Sequence, residues 1–351
     1  MLRLIAPLTL VLGLSPLAPV VVLAPGPDDL TPTAVPEGGS PVEAAAPAPI
    51  AAALVGGVAP LRFDVGGLSL LIPRDEHLTY GVHVAVGPVG ATVGTVTLDT
   101  NVEPFRESLV LLGGGAGGDR EIGNLTAKAE GSYLFYSMET TLDSRYLPQA
   151  WPSISHYYKQ SGSENRRREV QLGELDGQPT SVYRRDTREG APAGQRIWAA
   201  KQTRDIPAGT LDMLGAVYLA RTLVMDGAED AELVFPLIDK TRLWQMRLTL
   251  AEERRVEVPA GTFDAVEVQL LPEAYPGEPE HAQSKFRGLF GISGTIKLWV
   301  ERTTGVPVRI AGTIPAGPVE VECDIFLEGH LGTPDAFRSV VPPEPAEDAE
   351  E

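Results

Sequence analysis

Residues 244–270 read WQMRLTLAEERRVEVPAGTFDAVEVQL. Trp244, Met246, Leu248, Leu250, Val256 and Val258 all fall on even positions, and Val266, Val268 and Leu270 resume the same period after Pro259-Ala260-Gly261-Thr262. Two-residue alternation is what a strand with one buried face imposes. A short turn between two such runs predicts an antiparallel hairpin.

The same period runs outward in both directions. Ile296, Leu298 and Val300 pair in pattern with Val306, Val308 and Ile310 across Thr303-Thr304-Gly305, and Val319, Val321, Cys323, Ile325 and Leu327 form the next strand. Toward the N-terminus, Leu78, Tyr80, Val82, Val84 and Val86 share a face, and the Gly- and Val-rich run at 87–98 predicts a hairpin or sharply curved strand. Residues 127–142 (AKAEGSYLFYSMETTL) read as one long strand, and 182–186 and 196–204 as short ones. The predicted fold is mainly β, a strongly curved antiparallel sheet or partly open barrel built as a meander, with one packed helix.

That helix is predicted at about 210–226, where TLDMLGAVYLARTLVM places Leu211, Leu214 and Tyr218 at helical spacing beside Met213, Val217, Ala220 and Val224. Thr210 is the expected cap, Asp212 suits the positive end, and Gly227 can stop the helix in a left-handed conformation. Its wide apolar stripe predicts tight packing against the sheet.

Residues 1–24 carry Arg3, an apolar run from Leu4 to Leu23, and Ala24, the order of a secretory signal. The run is also about long enough to span a bilayer, so a cleaved signal and a retained N-terminal anchor both stay open. Either one predicts an exported protein, periplasmic or otherwise associated with the cell envelope. Residues 25–60, rich in Pro and Ala, and 341–351, Pro and acid, bury too little apolar surface to fold. This leaves 61–340 as a single β domain.

A formal net charge of −18 argues against nucleic acid as a partner and against adhesion to anionic lipid, so membrane contact is expected at most through the N-terminal segment. The stretch 159–204 reverses the sign, with ten basic residues against six acids. It reads either as solvated, self-paired strand faces or as a rim that receives an anion such as a lipid headgroup.

The single cysteine, Cys323, excludes a disulfide framework and a thiolate metal site and reads as a small core residue. Five histidines without ligand spacing give no metal site, and no cofactor is implied. The run GGGAGG at 113–118 matches a dinucleotide fingerprint in letters only, because no helix pattern follows it to face a pyrophosphate; it is read as a surface loop. Asp75, Glu76, His77 and His83 form a polar cluster at the first strand. No nucleophile elbow occurs, so catalytic residues are not assigned.

Taken in order, DEHLTYGV at 75–82, a Gly-bearing strand, an aromatic strand, the helix with Asp212, Tyr218 and Arg221, VPAGTF at 258–263 and KLWVERTTGVPVRI at 297–310 resemble the bacterial domain-of-unknown-function 3108 family (DUF3108). The resemblance implies an exported envelope protein with a long curved antiparallel sheet, somewhat like lipoprotein carriers and lipocalin-like barrels. It implies no catalytic residues and no established substrate. Three functions remain open: a non-enzymatic binder of an apolar or amphiphilic ligand or of a lipidated partner, a structural envelope protein acting through protein contacts, and a carboxylate-based hydrolase. For the first, the candidate ligand-binding residues are Trp198, Tyr218, Arg221, Trp244 and Trp299.

Overall fold

The computed structural model describes residues 61–65, 68–86, 89–104, 121–133, 136–146, 155–162, 166–187, 197–199, 201–227, 232–278, 286–316 and 319–340. All of them belong to the second of two units into which the chain divides, Ile50–Glu351. The N-terminal apolar run, the Pro/Ala-rich segment, the glycine run at 113–118 and the acidic tail lie outside the described residues.

Alternation is realised as strands almost everywhere it was read. A first meander runs through β3 (Asp75–Val86), β4 (Val89–Pro104), β5 (Glu121–Tyr133), β6 (Tyr136–Tyr146), β7 (Ser155–Gly162), β8 (Arg166–Leu175), β9 (Gln178–Arg185) and β10 (Gln202–Asp205). After helix α1 (Met213–Met225), a second runs through β11 (Glu232–Asp239), β12 (Arg242–Val258), β13 (Gly261–Ala274), β14 (Ser293–Glu301), β15 (Pro307–Ala316) and β16 (Val319–Leu331). The first and last of these strands, β3 and β16, pair antiparallel and join the two meanders into one 14-stranded sheet. The sheet's ends are β10 and β11, and among the described residues no ladder connects them.

Side chains nevertheless bring those ends together. Fourteen strands laid flat at about 4.8 Å spacing would span roughly 60 Å. Yet Val170, Leu172 and Tyr183 from one end pack in one cluster with Ile238 and Leu243 from the other, around Ile206. The segment after β10 carries the chain across the gap: Ile206 donates its N–H to the Pro179 carbonyl, and Leu211 forms a parallel bridge with Leu237. Arg204 of β10 adds a bond to the Thr241 carbonyl (2.8 Å) and an ion pair with Glu278. The result is a curled sheet, barrel-like in shape, with an open seam in its hydrogen-bonding.

Helix α1 lies inside the curl. Every residue from Met213 to Thr222 is buried, as a helix apolar on all sides requires. A small hairpin of β1 (Leu61–Val65) and β2 (Leu68–Ile72), unmarked in the sequence reading, packs on it, with the Leu71 N–H donating to Thr222 Oγ1 at 2.8 Å. Arg221, fully sequestered on the helix, makes a two-pronged ion pair with Glu76 of β3 (2.6 and 3.0 Å), and the guanidinium lies 4.7 Å over the Tyr218 ring.

Three local expectations change. The expected cap Thr210 donates instead to the Pro207 carbonyl, because the bridge at Leu211 holds the backbone extended; Asp212 caps the helix, accepting from the Gly215 N–H at 2.9 Å. Gly227 stops the helix at φ +71°, as read. Residues 127–142 are a hairpin, with Tyr133 opposite Tyr136, rather than one strand. The polar cluster at 75–77 is split by the pleat, Glu76 facing inward to Arg221 and His77 facing outward to Asp99. The Gly-rich β4 uses one glycine for close approach: a Cβ at Gly94 would stand 2.1 Å from the Glu130 carbonyl oxygen on β5.

Candidate functional site

A cavity of about 400 Å³ opens beside the seam, between β6–β9 on one side and the start of α1, β11 and residues 286–291 on the other. Register decides what faces it. Along β7 the even residues His156, Tyr158 and Gln160 look inward. Each is flanked across the ladders: His156 by Ser144 and Val170, Tyr158 by Leu142 and Arg168, Gln160 by Thr140 and Arg166. The wall across from them mixes the apolar Met213, Leu237, Phe286, Phe290 and Ile314 with the charged Asp239, Lys240 and Arg287.

Beneath His156 lies a buried polar cluster. Tyr146 Oη donates to Asp212 Oδ2 at 2.8 Å, while Asp212 Oδ1 caps α1. Burial, reinforced by the neighbouring Asp212 carboxylate, holds the Tyr146 phenol well above its ordinary value, so it remains a donor at any working pH. His156 Nδ1 lies 2.9 Å from Ser144 Oγ and 4.0 Å from Asp212 Oδ2. A Ser-His-Asp relay needs the serine and the carboxylate on opposite ring nitrogens. Here both neighbours share Nδ1 and Ser144 is fully buried, so the three residues form a structural network. Among the described residues, no three of His, Cys, Asp and Glu gather as a metal site.

The five candidate residues fall into three places. Tyr218 and Arg221 come together, in the interior ion pair with Glu76 and away from the cavity lining. Trp244 is interior and meets the cavity wall at second hand, edge-on to Phe286 at 5.3 Å between ring centres. Trp198 and Trp299 lie on the outer face. Trp198 is sandwiched by the guanidinium groups of Arg167 (3.9 Å) and Arg184 (4.3 Å), and Trp299 is covered by Arg309 (4.4 Å) and Arg254 (4.9 Å).

None of the five candidates lines the cavity, and the basic stretch at 159–204 holds only part of its lining. Alternate residues of that stretch stand in different surroundings. Arg167 and Arg184 face outward and pair with Asp186 and Glu169, whereas Arg166 and Arg168 face the cavity. The pleat of β8 divides the run Arg166-Arg167-Arg168 between the two.

The family described as "Protein of unknown function (DUF3108)" matches residues 79–324, from the first strand of the large sheet to its last. The chain belongs to the DUF3108 family. Among solved structures, the DUF3108 chain is similar to a β-barrel-like protein of the domain of unknown function DUF1849 from Brucella abortus. The two share 12% identity over 74% of this chain and 98% of that one, at a TM-score of 0.43. No curated protein matches.

Proposed function

We propose that this DUF3108 protein is an exported, non-enzymatic binder of an amphiphilic molecule, which it holds in the cavity beside the seam. One observation carries the reading: a cavity of about 400 Å³, lined by both apolar and charged side chains, inside a curled sheet. That size falls within the range of roughly 300–1,000 Å³ usual for small-molecule sites. The seam supports it as well, because the cavity lies beside the place where, among the described residues, an isolated Leu211–Leu237 bridge stands instead of a ladder between β10 and β11. The absence of a two-sided imidazole at His156 favours binding over acyl transfer. Export rests on the signal-like order of residues 1–24.

Native mass spectrometry of protein purified from its own cells, before and after organic extraction, tests the binding reading. A bound mass that extraction removes is the expected result, and its loss in a Leu142→Trp variant, which fills the cavity, places it. Protein that is empty from every preparation, or that retains its ligand with Leu142→Trp, refutes the reading. Fractionation of the source cells tests export; recovery of the folded protein in the cytosol refutes it.

A further inference from the structure

We infer that Phe290 is the side chain on which the apolar part of the bound molecule rests, and that the backbone there is held left-handed to present it. The inference rests on the binding reading above and adds the residue that sets affinity.

Among the described residues, three other than glycine have positive φ: Asp176 (+53°), Lys240 (+61°) and Phe290 (+54°). The first two have an ordinary cause. Asp176 lies in the two-residue turn between β8 and β9 and Lys240 in the one between β11 and β12, and tight hairpin turns demand that conformation. Phe290 lies in no hairpin. Its φ of +54° and ψ of +23° place it in the left-handed region inside the short turn Leu289–Gly291. There a Cβ crowds the following carbonyl oxygen, a clash that glycine escapes.

Neighbours impose the conformation. The Gly288 N–H donates to the Ile292 carbonyl (2.9 Å) and the Ile292 N–H to the Leu289 carbonyl (3.0 Å), closing residues 288–292 on themselves. Phe286, Leu289 and Ile292 are fully buried and anchor the loop on both sides of Phe290. A Cβ at Gly288 would stand 2.6 Å from Ile296 Cδ1 and 2.7 Å from Phe286 Cε1, so the backbone is seated closely on the core. Strain of this kind persists where the surrounding structure over-determines it, and it gathers at ligand contacts.

The environment of the ring gives the strain its purpose. Phe290 is only half-buried and faces the cavity with Phe286, Met213 and Ile314. It therefore recovers less from burial than a core phenylalanine does, while its backbone carries a cost that glycine would avoid. An apolar group lying against the ring completes that burial and offsets the cost.

Fluorescence titration with the neutral apolar probe N-phenyl-1-naphthylamine tests the inference, on full-length protein first stripped of co-purified molecules over a hydrophobic resin. Wild-type protein should bind the probe, and Leu142→Trp should abolish that binding. Phe290→Gly and Phe290→Ala should each weaken it about fivefold or more, and Phe290→Leu, which keeps an apolar side chain, less than about twofold. The two small variants differ in how well they accept positive φ, so Phe290→Gly should melt about 2–4 °C above Phe290→Ala while binding the probe equally. Affinity that follows Tm across the variants, affinity unchanged by Phe290→Gly, or Phe290→Ala at least as stable as Phe290→Gly overturns the inference and leaves the binding reading in place. Wild-type protein that does not bind the probe, or binding that Leu142→Trp leaves intact, overturns both.

Discussion

Replacing Gly215 with alanine in the first turn of α1 should destabilise the protein, against the ordinary rule for helices. Alanine is favoured over glycine inside a helix by about 1 kcal/mol. At this position, however, the new Cβ would stand 2.1 Å from Tyr146 Oη and 3.0 Å from its Cζ. The phenol must retreat, and its bond to the Asp212 carboxylate is lost. A hydrogen bond to a charged group contributes about 1.5–3 kcal/mol, and a hydroxyl left buried without a partner costs a similar amount again. Set against the helix gain, a net loss of about 2–5 kcal/mol follows, or roughly 4–20 °C in Tm at about 2–4 °C per kcal/mol for a domain of this class. Urea unfolding followed by tryptophan fluorescence measures it, with Tyr146→Phe as the second arm of a double-mutant cycle. Removing the hydroxyl abolishes the shortest contact, so Gly215→Ala in the Tyr146→Phe background should cost under about 1 kcal/mol or stabilise. A wild-type background in which Gly215→Ala stabilises, or a cycle with no coupling, refutes the argument.

Glu76→Gln leaves Arg221 charged and sequestered and should cost about 3–5 kcal/mol, while the paired replacement Glu76→Met with Arg221→Met recovers most of that loss; denaturant midpoints at unchanged slope check both. Asp212→Ala removes both the helix cap and the partner of Tyr146 and should cost about 2–4 kcal/mol, read as a lower unfolding midpoint. Burial pushes the Cys323 thiol up to about 12, so it should resist alkylation in native protein at pH 8 and react at once in denaturant. Because its folded pKa lies above the ordinary thiol value of 9.0, the associated stability is intact below pH 9 and drains away as pH rises toward about 12; a Cys323→Ala variant should lose less over that window.

Much of the architecture could be read from period alone. The hairpin of β12 and β13 is legible because Trp244 to Val258 keeps one parity and Pro259-Ala260-Gly261 supplies the turn. The hairpin of β5 and β6 is not, because the two residues between Tyr133 and Tyr136 are Leu134 and Phe135, which carry no turn chemistry. The cap shifted from Thr210 to Asp212 through a bridge between Leu211 and Leu237, a tertiary contact that local propensity does not encode. The site was harder still. His156, Tyr158 and Arg168 are polar residues on an inward face, so the alternation that marks a buried strand elsewhere gives the wrong sign or none on β7 and β8. The tryptophans drew attention as aromatic residues, yet Trp198 is held on the outer face by Arg167, distant in sequence, and Trp299 by Arg309, its neighbour across the hairpin of β14 and β15.

The pairing of β3 with β16 has a consequence for how the chain is made. His77 finds its partner Leu331 roughly 250 positions later, so at a synthesis rate of about 5–20 residues per second the open margin of β3 waits on the order of 10–50 s for its mate. During that interval the nascent first meander offers a long row of unmatched amides and carbonyls to any neighbouring polypeptide. A connectivity of this kind leaves that margin without its own mate until β16 has emerged.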